Sequence, residues 1–226
     1  MAIGKVDVIN AALLLIGAEK LTATTDATKA ARLATSMYDI ALREVHDLPI
    51  DWRFATARAE LAQMSDAPIF GEYDYQYELP AKCRRILAVV DEAGDKTEYE
   101  WGREVAVITS GGRDEEYDVF LANQDEAFIK YIRLREDPNK WPGYFIRLVY
   151  LTLAILLCEP LKQDKQKKNQ LMLMYDDAYN KARTGNGMEN ADTSDDGVRL
   201  DLGNTEIVDA ATIEEVSKKY IEIRSS

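Results

Sequence analysis

Histidine occurs once and cysteine twice in the 226 residues of the chain. His46, Cys83 and Cys158 are too few and too far apart to build a zinc site, and the two cysteines show no secreted disulfide pattern. A reducing compartment is expected, at least during folding. No GxxxxGK[ST] phosphate loop and no GxGxxG dinucleotide motif is present; Gly111-Gly112 lacks the Lys-Ser/Thr that a phosphate loop requires. These absences leave no metal and no cofactor to expect. Six prolines and twelve glycines exclude a collagen-like or linker-like chain. Bases are outnumbered, 28 against 40 acids, for a formal charge of −12. A chain this acidic is not built to wrap nucleic acid by neutralising phosphates, though it suits a wall along which nucleic acid slides without sticking. The opening residues hold no long apolar stretch before the first acid, so no targeting segment is expected. The longest nearly apolar run, Tyr144 to Cys158, has 15 residues and includes Arg147. A membrane span wants roughly 20, so this run reads as a buried core helix.

With 46% hydrophobic and 30% charged residues, the chain has enough apolar side chains for a real core. Residues 1–50 read as a helical hairpin. Asp7 is placed to cap a first helix with apolar positions Ile9, Ala12, Leu13 and Ile16, and Gly17 offers a left-handed stop. Thr22 to Asp26 supply the next cap. Ala30, Leu33, Ala34, Met37, Tyr38, Ala41 and Val45 then recur every three or four residues, and Pro49 closes that helix. Residues 51–137 change character. Trp52 to Met64 is readable as strand or helical turn. Tyr73, Tyr75 and Tyr77 alternate with acids and Gln76, which is a strand period, and Pro80 ends it. Arg85–Val90, Thr97–Trp101, Val105–Thr109, Asp118–Leu121 and Ala127–Leu134 are further short strands, with a reversal at Gly111-Gly112. Residues 138–187 return to helix: Pro142 at a first turn, the apolar run, an interruption at Pro160, then Leu171, Tyr175, Ala178, Tyr179 and Ala182 on one face until Gly185 and Gly187 stop it. The expected class is α+β, about four main helices with a small antiparallel β domain set between them. Residues 188–226 form an acidic extension with ten acids and four bases, in which Ile213, Val216 and Tyr220 lie at helical spacing. That stripe points to a segment that folds on a partner.

Catalytic signals are weak. His46, near a helix C-terminus, suits a cationic structural role. Glu72, Asp74 and Glu78, and separately Asp114, Glu115 and Glu116, raise the alternative of a glycoside hydrolase, which needs two carboxylates across a cleft. Among forty acids, accidental proximity is cheap. The chain is therefore not expected to be an enzyme. Lys162, Lys165 and Lys168, with Lys167 beside them, are the concentrated positive feature, a candidate contact for an acidic neighbour, or DNA, or simply a solvated helix start. A DNA-associated module would need a continuous positive stripe.

Several segments, in order, resemble the tail tubular protein A family of short-tailed bacteriophages. They are Val8-Ile-Asn-Ala-Ala-Leu-Leu-Leu-Ile-Gly-Ala, Ala31-Arg-Leu-Ala-Thr-Ser-Met-Tyr-Asp, Trp52-Arg-Phe-Ala-Thr-Ala-Arg-Ala-Glu-Leu-Ala, Tyr75-Gln-Tyr-Glu-Leu-Pro and Leu153-Ala-Ile-Leu-Leu-Cys-Glu-Pro-Leu. The resemblance covers roughly residues 5 to 185. It implies a helical bundle with an inset β domain. It also implies a virion protein made in the bacterial host cytoplasm, an adaptor whose twelve copies form a ring under the portal, join it to a tail nozzle of the tail tubular protein B type and leave a channel for double-stranded DNA. Capsular polysaccharide degradation, proposed for some relatives, is the enzyme alternative. The resemblance carries no catalytic residue onto this chain. Two departures stand out: Cys158 sits where alanine is usual, and the stretch beyond about residue 187 is less recognisable. Lys162, Lys165, Lys168, Ile213, Val216 and Tyr220 are the candidate partner contacts.

Overall fold

A carboxylate shapes the first turn of the chain. In a computed structural model, which describes residues 2–68, 71–110 and 113–189, α1 spans Lys5–Leu15. Its cap is Gly4 rather than Asp7. Asp7 lies one turn inside and accepts a hydrogen bond from the Gly4 amide at 2.8 Å, which satisfies an orphan donor from within the helix. Val8, Ile9, Ala12 and Leu13 are buried, and Gly17 takes the left-handed φ of 65° that ends the helix. The Thr22–Asp26 segment caps a loop, not a helix: the Asp26 carboxylate accepts the amides of Thr22 and Ala23. The cap of α2 (Lys29–His46) is Thr28, whose hydroxyl accepts from the Ala31 amide at 3.1 Å.

The apolar run becomes the centre of the bundle. α3 (Gly143–Lys162) touches α1, α2 and α4 (Lys165–Met188). The expected pairing of α1 with α2 is the weakest of these; both lean mainly on α3. The reason is that Leu148, Val149, Leu151, Leu153, Ala154 and Leu157 are fully buried all round α3, and a helix apolar on every side needs several neighbours. α3 has the length and hydropathy of a membrane span, with half of its most apolar window covered by the protein itself.

Pro160 does not interrupt α3. It falls in the last turn, where the missing amide costs one hydrogen bond, and the helix runs on until Gln163 adopts a left-handed φ of 54°. Nor do Gly185 and Gly187 stop α4, because tertiary contacts outweigh their poor helix propensity. A Cβ on Gly185 would lie 3.0 Å from the Tyr144 ring. Between the two glycines, buried Asn186 accepts from the Arg53 amide and donates to the Asp51 carbonyl, both at 3.0 Å.

Between the helical halves, seven strands among the described residues form two antiparallel sheets, β1-β7-β4 and β2-β3-β6-β5. The ambiguous stretch after Trp52 is a short 3₁₀ turn, Arg53–Ala55, followed by β1 (Thr56–Glu60) and β2 (Ala62–Gln63). β3 is Tyr75–Glu78, β4 Cys83–Val90, β6 Arg113–Ala122 and β7 Phe128–Arg133. The two strands expected at Thr97–Trp101 and Val105–Thr109 are one, β5 (Trp101–Ser110), and residues 97–100 lead into it. Leu61, Tyr77, Cys83, Phe120, Ile129 and Tyr131 belong to a second core within this β region, and Ile132 on β7 belongs to the helical core. Irregularities in β4 at Arg84 and Leu87 re-aim those side chains: Leu87 packs on the helical core, and Arg84 makes a bidentate ion pair with Asp47 at the end of α2. Arg85 reaches the Ile50 carbonyl at 2.9 Å and the Asp51 carboxylate at 2.8 Å.

An aromatic cluster sits where these parts join. Fully buried Phe145 meets Phe54 at 4.6 Å between centroids, Trp52 at 5.1 Å and Trp141 at 5.3 Å, all edge-on. Burying one such side chain contributes about 1.5–3 kcal/mol, and edge-on ring pairs add about 0.5–1.5 kcal/mol each. Trp52 also donates its indole N–H to the Val45 carbonyl and Trp141 donates to that of Arg135, so neither ring buries an unpaired donor.

Candidate partner-binding surfaces

The lysine cluster straddles the junction of α3 and α4: Lys162 ends α3, where the helix dipole favours cations, and Lys165, Lys167 and Lys168 open α4, where the dipole opposes them. Lys162 Nζ donates to the Gly17 carbonyl at 2.8 Å, and Lys29 Nζ donates to that of Pro160 at 3.1 Å. Lys168 pairs with Glu159 at 2.9 Å. That bond, with help from Lys165, holds the Glu159 carboxyl below its usual range. Glu159, Pro160, Gln163, Asp164, Lys165 and Lys168 line a shallow cavity of about 420 Å³. Lys162 and Lys168 are thus engaged within the chain, and Lys165 is exposed. Ile213, Val216 and Tyr220 lie outside the described residues.

His46 is neither cationic nor exposed. Its Nδ1 lies 2.9 Å from the Leu42 carbonyl oxygen, and Nε2 accepts the Arg135 amide at 3.2 Å. An acceptor at Nε2 fixes the neutral tautomer with the proton on Nδ1. Burial lowers its pKa, outweighing the opposing pull of the Leu42 carbonyl and of Asp47. The expectation of a charged histidine fails because the ring turns into the core, against Phe145 at 4.8 Å, rather than toward solvent. It ties the end of α2 to the segment after β7. Burial also raises the pKa of both cysteine thiols, so neither is an activated nucleophile.

The acids suspected of glycosidase chemistry do not converge on one cleft. Asp74 and Glu78 are exposed beside and on β3; Asp114, Glu115 and Glu116 are exposed on β6. Glu115 accepts the Tyr117 hydroxyl at 2.6 Å. Glu72 lines a recess of about 120 Å³ that it shares with Glu104, well below the roughly 300–1,000 Å³ usual for ligand sites. Among the described residues no cluster of three or more His, Cys, Asp or Glu is arranged to hold a metal ion.

Three surfaces escaped the reading of the sequence. Met172, Leu173 and Met174 of α4 are exposed, Leu173 by 72%, beside an apolar groove lined by Leu48, Ile155, Leu156 and Tyr175. Val105 and Val107 are exposed on β5, an edge strand. A polar groove of about 510 Å³ is lined by Phe54, Ala57, Lys82, Arg133, Arg135 and Lys140, among others. The sequence placed Val105 and Val107 in one expected strand, Val105–Thr109, but nothing in the order of residues says which side of a strand stays uncovered. Neither a protein-family model nor a curated protein matches the chain.

Proposed function

We propose that the chain is a structural adaptor subunit of a short-tailed phage tail. In this reading, copies repeat one head-to-tail contact that closes a ring, twelve subunits as the family resemblance implies. One rim receives the portal and the other the nozzle, and double-stranded DNA passes through the bore during ejection. The protein would be made in the bacterial host cytoplasm and work in the virion, at the head-to-tail interface. The observation that carries the reading is the order of the resembling segments, from Val8 to Leu161, along a chain whose helices and strands follow the same plan: two helices, a β region, two helices. The charge of −12 supports it, since like charge keeps DNA from adhering to a wall. So does the surface, which offers exposed apolar side chains on a strand and a helix.

The test is electron microscopy of the purified full chain with and without the portal protein encoded by the same genome. Rings seated on the portal, with the opposite rim free, are expected. A folded chain that leaves the portal bare at high concentration removes the reading and turns attention to glycan degradation.

A further inference from the structure

The β5–β6 hairpin outgrows its sheet. β6 pairs with β3 only over Val119–Ala122, but with β5 along its whole length. The outer part, residues 105–110 against 113–118, is therefore a ribbon of two strands, about 20 Å long at ~3.3 Å per residue. Two strands alone are marginal in water. Val105 is 57% exposed and Val107 49%. Directly across the ladder from them stand Asp118, which pairs with Arg103 of β5 at 3.5 Å, and Glu116, so one side of the ribbon carries two valines beside the Glu116 carboxylate. Among the described residues no strand pairs to the outer edge of β5.

The polar groove offers the complementary chemistry. Lys82 and Lys140 meet the groove's own acids, Glu136 at 2.6 Å and Asp137 at 3.9 Å, and Arg135 donates to the Phe54 carbonyl at 2.6 Å. Arg133 is exposed and makes no ion pair among the described residues. The groove also runs along β1, the edge strand of the other sheet. Its walls thus carry four bases against two acids, with Phe54, Ala57 and Leu134 among them, and a strand edge alongside.

We propose that this ribbon seats on the groove of a second copy of the chain, its valines over Phe54 and Ala57 and its Glu116 carboxylate toward Arg133. A second copy is the fitting occupant because both halves of the contact belong to one sequence and differ from each other. Such a contact is head-to-tail and repeats from copy to copy. Within one copy the ribbon does not fill its own groove, since Glu115, Glu116 and Arg133 are all exposed. At a net charge of −12, copies repel one another in general, so self-contact needs a locally basic surface to receive an acidic one. The contact rests on the adaptor reading for its closure into a ring.

Sedimentation of the full chain from micromolar to about 1 mM tests it. The variants are Glu116→Arg, Arg133→Glu and the two together, each checked by circular dichroism and thermal unfolding. The wild type is expected to associate with a dissociation constant below about 1 mM. Each single reversal should weaken association by about tenfold and the double variant should recover most of it, as a swapped charge pair does. Association that ignores both reversals overturns this contact and leaves the ring reading standing. A wild type still monomeric at the top of the range also overturns the contact, while imaging on the portal decides the ring separately. Failure of the double variant to recover overturns the pairing of these two residues.

Discussion

Replacing Asn186 with alanine should destabilise the fold far more than its place near the end of a helix suggests. The side chain is 7% exposed. Its Oδ1 accepts the Arg53 amide and its Nδ2 donates to the Asp51 carbonyl, each at 3.0 Å across more than 130 residues of sequence. Two neutral hydrogen bonds are worth about 0.5–1.5 kcal/mol each, and a buried group left without a partner costs about 1–3 kcal/mol. Water can reach part of the site, so the sum is about 2–4 kcal/mol. For a domain of this size that is a fall in Tm of roughly 4–16 °C. The neighbouring glycines calibrate it. Gly187→Ala meets nothing within 4 Å and should stabilise by about 0.5–1 kcal/mol through helix propensity. Gly185→Ala drives a Cβ to 3.0 Å from the Tyr144 ring, which stacks on Trp52 and hydrogen-bonds Glu189. That ring is not free to retreat, so this variant should lose stability instead. The assay is urea unfolding, read as a shift in midpoint at constant slope. An Asn186→Ala loss under about 0.5 kcal/mol, or equal effects of the two glycine variants, refutes the claim that this turn is clamped by tertiary contacts.

Phe145→Ala should cost about 3–5 kcal/mol, more than truncating exposed Leu173, checked by the same unfolding curves. Gly17→Ala should cost about 1 kcal/mol because Gly17 holds a positive φ. His46 gives a pH dependence with a defined sign. Its folded pKa lies below the ordinary value of 6.5, so the unfolded chain binds the extra proton first; stability is full above that value and falls as pH drops from 6.5 toward the folded pKa. As the chain's single histidine, its ring ¹⁵N shifts can be followed without ambiguity, and they should report the neutral Nδ1–H tautomer at pH 6.5. A ring fully protonated there contradicts the hydrogen-bond assignment.

The apolar periodicity was enough to place helices at Ile9–Ile16, Ala30–Val45 and Tyr144–Cys158, and the tyrosine alternation placed β3. Those patterns record burial on one face, and burial decides the element. What stayed hidden depends on partners distant in sequence. Gly185 and Gly187 read as a stop until Tyr144 and Arg53 come to meet them. His46 read as a charged helix end until the ring turned toward Phe145. β5 read as two strands because residues 97–100, which alternate well enough, lie outside the sheet. The lysines at 162–168 were visible as a cluster, yet Gly17 and Glu159 already claim two of them. Strands were legible on both sides of Gly111-Gly112, but not the overhang of that pair beyond β3, which arises from strand lengths that differ between neighbours, nor the groove, whose lining comes from four separate stretches of the chain.

The central claim is that copies of this chain form a ring beneath a portal. Electron microscopy of the full chain mixed with its portal measures it directly. The account predicts closed rings of one size seated on the portal with a continuous central channel. A well-folded chain that leaves portals bare, at concentrations where the partners would meet readily, would contradict it.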